Sequence, residues 1–285
     1  MKKYKTMVLA VVMLYIPTGG EAATPDYWRS DSVKVVRLLN QAAKLDSSNN
    51  YMVYFARQLK GLPYVGKTLE KHPEEKLVVN LRQMDCTTYV ESVLALTQCA
   101  KQGTKSFEDY CRNLQRIRYK NGDIHYINRL HYFSYWIEEN VRKGIVELVE
   151  GDKSLFSATQ TVQANYMTTH VNAYPMLVKN KEWIPRIRKM EKAITGNKYA
   201  YIPKSKLGDS KLLRQTVHNG DIIVILTSKR GLDTSHIGIA IWHDDGLHML
   251  HASSLRHRVV EDPKPFKRYM MEQRSHTGIR VVRPL

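Results

Sequence analysis

The chain has 285 residues, of which 43% are hydrophobic and 25% charged, and its formal net charge is +17. This composition is that of an ordinary globular protein and excludes a repetitive, low-complexity or disordered chain. A basic surface favours anionic partners, although the same charge can serve solubility alone.

The first residues predict where the protein acts. Three lysines precede an apolar run from Met7 to Ile16, and the small residues Ala22 and Ala23 follow. This pattern indicates a secretory signal peptide over residues 1–22, because the run is too short to span a membrane. We therefore expect a periplasmic protein without a membrane anchor. Its charge falls to +15 on losing three lysines and one glutamate, and cell-wall fragments replace nucleic acid as the expected partner.

Apolar periodicity divides the rest of the chain into a helical part and a strand-rich part. Helical spacing predicts helices over residues 32–45, 51–60, 86–100, 105–118 and 130–141. A mixed pattern follows, with helices possible over 174–179 and 183–195. Alternating and β-branched runs predict strands over 221–226, 236–242, 247–251 and 278–282. Helices followed by antiparallel strands indicate an α+β fold. We expect a single domain over 23–285, with a helical part at about 30–145, an insertion at about 150–218 and a sheet at about 219–285.

A cysteine lies where one helical pattern begins. Residues from Tyr89 onward recur at helical spacing, so a helix starts at or beside Cys86. The free N–H groups of a helix start carry partial positive charge, and a thiol there is expected to ionise more easily. Cys86 is therefore the candidate nucleophile. Cys99 follows on the same helix, about 20 Å away and beyond disulfide reach. A Cys99–Cys111 bridge and two buried free thiols both remain possible.

A histidine on a predicted strand supplies the candidate base. With a period of two, His236 shares a face with Gly238 and Ala240. These small side chains leave room for the Cys86 helix to pack on that face, which would bring imidazole and thiol together. Such a pair, with the imidazole oriented by a third group, is the arrangement used in nucleophilic acyl transfer.

His251, on the next strand, is the candidate for that third group. If Asp244 and Asp245 form the centre of the hairpin turn, His251 lies opposite Gly238 and diagonal to His236. If Asp245 and Gly246 form it, His251 faces Ala240 and lies too far away. The sequence leaves both registers open, although Asp-Gly is the commoner turn dipeptide.

These residues resemble a known family. The motifs 85–88 (Asp-Cys-Thr-Thr), 235–240 (Ser-His-Ile-Gly-Ile-Ala) and 251–254 (His-Ala-Ser-Ser) are similar to those of the NlpC family of cell-wall cysteine amidases. The segments 76–82, 129–134 and 247–253 resemble more closely its N-acetylmuramoyl-L-alanine amidase-like branch.

The resemblance implies a papain-like core in which Cys86 attacks an amide carbonyl, His236 acts as base and then as acid, and His251 orients His236. It implies cleavage of the bond between N-acetylmuramic acid and L-alanine in small muropeptides, in a branch associated with the 1,6-anhydro sugar. Other relatives cut the γ-D-glutamyl–diaminopimelate bond, so that activity is the alternative. A non-catalytic wall-binding protein of the same fold is a further alternative.

Seven further residues are candidates for substrate contact. Tyr64 resembles a tyrosine that relatives place beside the cysteine, and either polarises the carbonyl or packs. Arg129 and Tyr132 share one face of the predicted helix while His131 lies on another, and this helix either contacts sugar or packs into the core. Ser253 either binds substrate or ends its strand. The substrate-binding candidates are Tyr64, Asp85, Arg129, His131, Tyr132, Ser235 and Ser253.

Two other patterns suggest different chemistry and are set aside. Residues 61–68 match a phosphate-binding loop, but a helical pattern precedes them, and Pro63 and Pro73 oppose the required loop and helix. His248 and His251 are three apart on a strand and point to opposite faces, which argues against a zinc site. We predict no metal and no cofactor, a small muropeptide as partner, no nucleic acid, and a monomer.

Overall fold

The structure is a computed structural model that describes residues 24–46 and 48–285, so the predicted signal peptide lies outside the described residues. Its helices are α1 Arg29–Ala42, α2 Tyr51–Gln58, α3 Cys86–Lys101, α4 Phe107–Arg118, α5 Phe133–Arg142, α6 Tyr166–Thr169, α7 Pro175–Lys179, α8 Ile184–Ile194, α9 Lys211–Thr216 and α10 Phe266–Glu272. Over the described part of the chain, no helix has the length and apolar character needed to cross a membrane.

Eight strands form one antiparallel sheet, which confirms the α+β fold. The strands are β1 Val146–Val149, β2 Ala158–Thr161, β3 Lys198–Pro203, β4 Ile222–Thr227, β5 Thr234–His243, β6 Gly246–Ser253, β7 Arg258–Glu261 and β8 His276–Pro284. Their order is β2-β3-β8-β4-β5-β6-β7, and β1 pairs with the C-terminal part of β8. The sheet therefore places β5 and β6, the strands with the candidate histidines, side by side.

Polar side chains fix where the central helices begin. The side chains of Asn50, Asp85 and Ser106 accept hydrogen bonds from backbone N–H groups in the first turns of α2, α3 and α4. Such caps satisfy donors that have no partner within the helix. The start of α3 is therefore determined by Asp85, which leaves Cys86 as the first helical residue.

The two faces of the sheet pack against different helices. Ile237, Ile239 and Leu250 belong to the same buried cluster as the apolar side chains of α3. Ala240 and Met249 belong to a second buried cluster, which includes residues of α10. The expectation that α3 packs on the face of Gly238 and Ala240 is therefore wrong, because Met249 and α10 fill that face.

The structure also corrects the predicted organisation of the middle of the chain. The insertion contributes β2 and β3, which extend the sheet from β8, so it is not mainly loop. The helix predicted over 130–141 begins at Phe133, because Arg129 and Tyr132 have extended backbones. The shared helix face expected for Arg129 and Tyr132 does not exist.

Candidate active site

The sulfur of Cys86 lies beside β5, at the end where its ladder with β6 stops. Pairing between β5 and β6 is regular from His243↔Gly246 to Ile239↔Leu250, and the residues of β5 before Ile239 lie beyond this ladder. The backbone N–H of Ile237 and the N–H and hydroxyl of Thr87 lie near enough to the Cys86 sulfur to favour its thiolate. The sulfur is thus held next to the residue that follows His236, and it keeps partial access to solvent.

Burial changes the expected ionisation of this thiol. Burial, together with the nearby Asp85 carboxylate, raises the pKa of Cys86 to about 12 despite the three donors that favour the thiolate. The expectation of a thiol that ionises easily at the helix start is therefore wrong for the free protein. At neutral pH the sulfur carries its proton.

The register of the β5–β6 hairpin settles the position of His251. His243 pairs with Gly246, so Asp244 and Asp245 form the turn, and the same register puts Gly238 opposite His251. A Cβ atom added to Gly238 would lie 2.9 Å from the Cβ of His251. The first of the two registers left open by the sequence is the one observed.

The two histidines are in direct contact. Nε2 of His236 lies 2.6 Å from Nδ1 of His251, and the rings are nearly perpendicular at 80°. Burial, with smaller contributions from His251 and His276, lowers the pKa of His236 well below its usual value. His236 is therefore a neutral imidazole at neutral pH, with one ring nitrogen directed at His251.

An acidic residue that follows β7 completes this line of side chains. Oδ2 of Asp262 lies 3.7 Å from Nε2 of His251, which is an electrostatic contact rather than a hydrogen bond. Burial opposes ionisation of Asp262, but His251, the backbone N–H of Lys264 and the Arg256 guanidinium together lower its pKa to about 2. Asp262 is therefore a carboxylate over the whole neutral range.

The charge of Asp262 determines which ring nitrogens carry protons. A carboxylate favours a proton on the Nε2 of His251 that faces it, so Nδ1 of His251 is the acceptor. Nε2 of His236 then donates to that nitrogen, and Nδ1 of His236 is left unprotonated. The arrangement can hold a free imidazole nitrogen as a proton acceptor.

Two tyrosines border the sulfur. Tyr64 is held by a bridge to Met84, just before α3, and burial with the charges of Cys86 and Asp85 raises its pKa to about 12. Tyr269, from α10, lies edge-on to His251 with ring centroids 5.7 Å apart. Burial, then Asp262 and Cys86, raise its pKa to about 12. Both phenols are protonated and can donate hydrogen bonds.

A cavity of about 210 Å³ opens next to the start of α3. Asp85 and Thr87, the sequence neighbours of Cys86, form part of its wall. The other lining residues come from the segment before α3, from α3 and α4, from the segment before α5 and from the insertion: Lys67, Leu69, Glu70, Glu91, Arg118, Arg129, Leu130, His131, Ala173 and Tyr174. The cavity is thus continuous with the cysteine end of α3.

The two guanidinium groups of the cavity wall are buried and paired with glutamates. Arg129 is 6% exposed and forms an ion pair with Glu70 and a longer one, at 3.4 Å, with Glu75. Arg118 donates to Glu91 at 2.7 Å. Nη1 of Arg129, which faces Glu75 at 3.4 Å, and Oε2 of Glu70 are buried and have no hydrogen-bond partner.

The predicted substrate-contact residues fall into two groups. The structure brings Tyr64, Asp85, Arg129 and His131 to the cysteine or the cavity. Ser235 is exposed beside His236, at an irregularity in the β4–β5 pairing.

Tyr132 and Ser253 are not brought to the cavity. Tyr132 is buried, and its hydroxyl donates to Glu191 in α8. Ser253 is buried and accepts from the N–H of Arg256 in the turn that follows β6. Both side chains are occupied in holding the fold.

The remaining alternatives are also resolved by geometry. Cys99 and Cys111 are free and buried, and Asn113 donates to the Cys99 sulfur at 3.3 Å. The segment 61–68 follows helix α2 and bridges to Met84 and Arg258, so it lacks the strand and helix of a phosphate-binding loop. Its Lys67 instead reaches the carbonyl of Ala173 at 3.2 Å and helps to close the cavity.

Comparison with known proteins identifies the family. A sequence model described as N-acetylmuramoyl-L-alanine amidase-like matches residues 54–279. The chain belongs to the N-acetylmuramoyl-L-alanine amidase-like family. No match is found among curated protein sequences.

Solved structures of similar proteins support this assignment. The chain is 36% identical to an N-acetylmuramoyl-L-alanine amidase from Bacteroides uniformis, with a TM-score of 0.76, covering 86% of this chain and 99% of that one. It is 38% identical to a Bacteroides fragilis protein that carries a provisional xylanase label, with a TM-score of 0.73, covering 80% and 98% of the two chains. A protein from Legionella pneumophila is 22% identical, with a TM-score of 0.65, covering 90% of this chain and 95% of that one. At this identity the similarity shows the fold alone. The narrower resemblance to the NlpC family and the papain-like core stay predictions.

Sequence reasoning missed several residues that this member of the family places at the site. Asp262, Tyr269 and His276 lie in or beside β7, α10 and β8, in a region where neither β7 nor α10 was predicted. Glu70 and Tyr174 reach the cavity from irregular segments. No sequence pattern singles these residues out, because the segment 258–261 (Arg-Val-Val-Glu) before Asp262 is short and does not alternate.

Proposed function

We propose that the protein is an exported cysteine amidase that cleaves the amide between N-acetylmuramic acid and L-alanine in small muropeptides. The observation that carries this proposal is the 2.6 Å contact between His236 and His251, with the Cys86 sulfur held at the N–H of the next residue. Membership of the amidase-like family and the name of the Bacteroides uniformis relative support the choice of substrate.

The proposed reaction transfers the acyl group to sulfur and then to water. Nδ1 of His236 takes the thiol proton as Cys86 Sγ attacks the carbonyl carbon, and the carbonyl oxygen becomes an oxyanion. The backbone N–H of Cys86, which lacks a partner in the first turn of α3, can donate to that oxyanion. His236 then protonates the L-alanine nitrogen as the C–N bond breaks, leaving a muramoyl thioester. Water attacks the thioester with His236 again as base, which releases the acid and restores the thiol.

This mechanism starts from neutral partners. The pKa of Cys86 is raised to about 12 and that of His236 is lowered by burial, so an ion pair is not preformed. Proton transfer must therefore accompany attack on the carbonyl. Asp262 stabilises the positive charge that develops on the two imidazoles during this step.

We further propose that the cavity binds the sugar rather than the stem peptide. Its wall carries three cationic groups, Lys67, Arg118 and Arg129, and three carboxylates, Glu70, Asp85 and Glu91. His131 adds no charge, because burial and the nearby Arg129 lower its pKa to about 3. A wall without net charge suits a neutral N-acetyl sugar better than a peptide that carries several carboxylates.

The size of the cavity is a second argument for a sugar. The volume of about 210 Å³ is smaller than the roughly 300–1,000 Å³ of sites for larger ligands. The cavity therefore holds one sugar ring, and the stem peptide extends to the other side of Cys86.

The deciding experiment is hydrolysis of a purified anhydro-disaccharide tripeptide, followed by mass spectrometry. We expect free disaccharide and intact stem peptide from the wild type and no product from Cys86→Ala. Cys99→Ala, which removes a buried thiol away from the site, is the matched control and should retain activity. Disaccharide still joined to L-alanyl-D-glutamate would instead support the γ-D-glutamyl–diaminopimelate endopeptidase alternative.

Two other outcomes would redirect the proposal. Binding of the muropeptide without turnover, unchanged in Cys86→Ala, would favour a non-catalytic wall-binding protein. Release of reducing sugar from xylan would extend to this chain the label of its Bacteroides fragilis relative. The export proposal is checked separately, by the intact mass of the periplasmic protein, which should lack residues 1–22.

A further inference from the structure

The far end of the β5–β6 hairpin carries a second cluster of titratable side chains. His243 ends β5, Asp245 lies in the turn and His248 lies in β6. One potential ligand atom from each residue lies within 4.8 Å of those of the other two. Within residues 24–46 and 48–285, this is the one cluster of three His, Cys, Asp or Glu side chains close enough to share a metal ion. Two imidazoles and a carboxylate are the donor set of Zn²⁺ and similar divalent ions. We propose that these three residues form a transition-metal site.

Each imidazole is already oriented by an outer partner. Nδ1 of His248 lies 2.8 Å from the carbonyl oxygen of Asp262, which directs Nε2 at Asp245, also at 2.8 Å. Nε2 of His243 lies 2.8 Å from the carboxylate of Glu261, which leaves its other ring nitrogen for a ligand. Metal-binding histidines usually have such a carbonyl or carboxylate behind them, because it fixes the tautomer and the ring orientation.

The ligand atoms need only small movements to reach coordination distance. Zinc bonds of about 2.0–2.2 Å place two tetrahedral ligand atoms roughly 3.3 Å apart. The side chain of Asp245 is 60% exposed and can move by the remaining distance, while His248 is 3% exposed and fixed. His243 is 39% exposed, is held by Glu261 and stacks on the His248 ring at 4.2 Å. Three protein ligands leave one position for water.

The surrounding charges limit the ligand set to three residues. Glu261 is shared with Arg57 at 2.8 Å and Lys60 at 3.4 Å, so it acts behind His243 and not on the metal. The Arg214 guanidinium donates to the backbone carbonyl of His243 at 3.4 Å and brings a positive charge close to the site. The Asp244 carboxylate lies near Arg214 and offsets that charge. The site therefore suits a divalent ion that prefers nitrogen ligands over one that needs many oxygen atoms.

A metal here would connect both strands of the hairpin at its turn. The register set by that turn is the one that places His251 opposite Gly238. The metal would also fix His248 against Asp262, the residue that faces His251 through its carboxylate. We assign the metal a structural role, because the described cluster lies at the opposite end of the strands from Cys86.

The test is titration of the EDTA-treated full-length mature protein with Zn²⁺ by calorimetry, and with Co²⁺ by visible absorption. The Cys86→Ser background removes the accessible thiol as a competing ligand, and makes the result independent of turnover. We expect one equivalent of saturable binding and a rise in Tm. His243→Ala should weaken binding by more than about 100-fold, beyond the roughly 10–100-fold effect of losing an outer partner.

Two variants keep the result interpretable. Asp245→Asn changes an exposed turn residue without threatening the fold, and should also weaken Zn²⁺ binding. His170→Ala removes an exposed imidazole of the insertion and should bind as the wild type does. Absence of saturable binding in the Cys86→Ser protein, or equal binding by His243→Ala, Asp245→Asn and His170→Ala, would overturn the proposal.

Discussion

The line of side chains from His236 to Asp262, with the Cys86 thiol, and the cavity at the first turn of α3 hold their titratable groups in different ways. In the line, burial raises the pKa of the Cys86 thiol and lowers that of the His236 imidazole, so both are uncharged at neutral pH. In the cavity, the guanidinium groups of Arg118 and Arg129 stay charged against glutamates. Groups that must exchange protons are kept neutral, and groups that must hold a ligand are kept charged and paired.

The largest expected effect breaks the line at its centre. His251→Ala should lower kcat by about 1,000-fold, because His236 loses the partner that fixes its tautomer and stabilises its charge. Asp262→Asn acts one contact further away and should cost about 10–100-fold. KM should change little in both variants, since neither residue lines the cavity. A fall in kcat/KM caused by KM alone would contradict this division of roles.

The pH dependence of kcat/KM tests whether Cys86 and His236 are both uncharged at neutral pH. If the pKa of His236 had its usual value of 6.5, the enzyme would lose about 30-fold in activity at pH 5, since protonation removes the base. Because burial lowers the pKa of His236, we expect the acid limb to lie well below 6.5. The alkaline limb should lie above 9.0, because the pKa of Cys86 is raised. Limbs at the ordinary pKa values of 6.5 and 9.0 would contradict both shifts.

Gly238→Ala tests the close approach of the two strands. The added Cβ would lie 2.6 Å from Cγ of Met249 and 2.9 Å from Cβ of His251, so one of them must move. We expect a loss of about tenfold in kcat, in line with small displacements of catalytic groups. Gly208→Ala, where the nearest atom is the flexible end of Lys267, is the control and should remain fully active.

The smallest effect is expected at the cavity. Tyr174→Phe removes one hydroxyl from the wall and should raise KM for the anhydro-disaccharide peptide about threefold, with kcat unchanged. The same variant should behave like the wild type on a substrate that lacks the sugars. An equal effect on both substrates would place the stem peptide, rather than the sugar, in the cavity.

The parts of the fold that follow from local pattern could be predicted from the sequence. Helices α3 and α4 have clear periodicity and side-chain caps at Asp85 and Ser106, and β4 to β6 are strongly apolar. The strands β1, β2 and β7 are four residues each and half exposed, so their pattern is weak. The segment before α5 carries a helix-like pattern, but tertiary contacts of Arg129 keep it extended.

The site was predictable in its residue types but not in its electrostatics. Cys86 and His236 follow from a helix start and an alternating strand, whereas the position of His251 depends on a turn register that the sequence leaves open. Asp262 lies close to His251 only because β7 pairs with β6. The pKa of the thiol depends on burial by distant segments, and a helix start alone predicted the wrong direction.

The three cysteines of this chain are unpaired, and they differ in access to solvent. Cys99 is fully buried and Cys111 is 8% exposed, whereas Cys86 is partly open. A thiol reagent added to the folded protein at alkaline pH should therefore consume one equivalent, and a denatured sample should consume three. That ratio measures the fraction of correctly folded protein in a preparation, and it can be determined before a substrate is available.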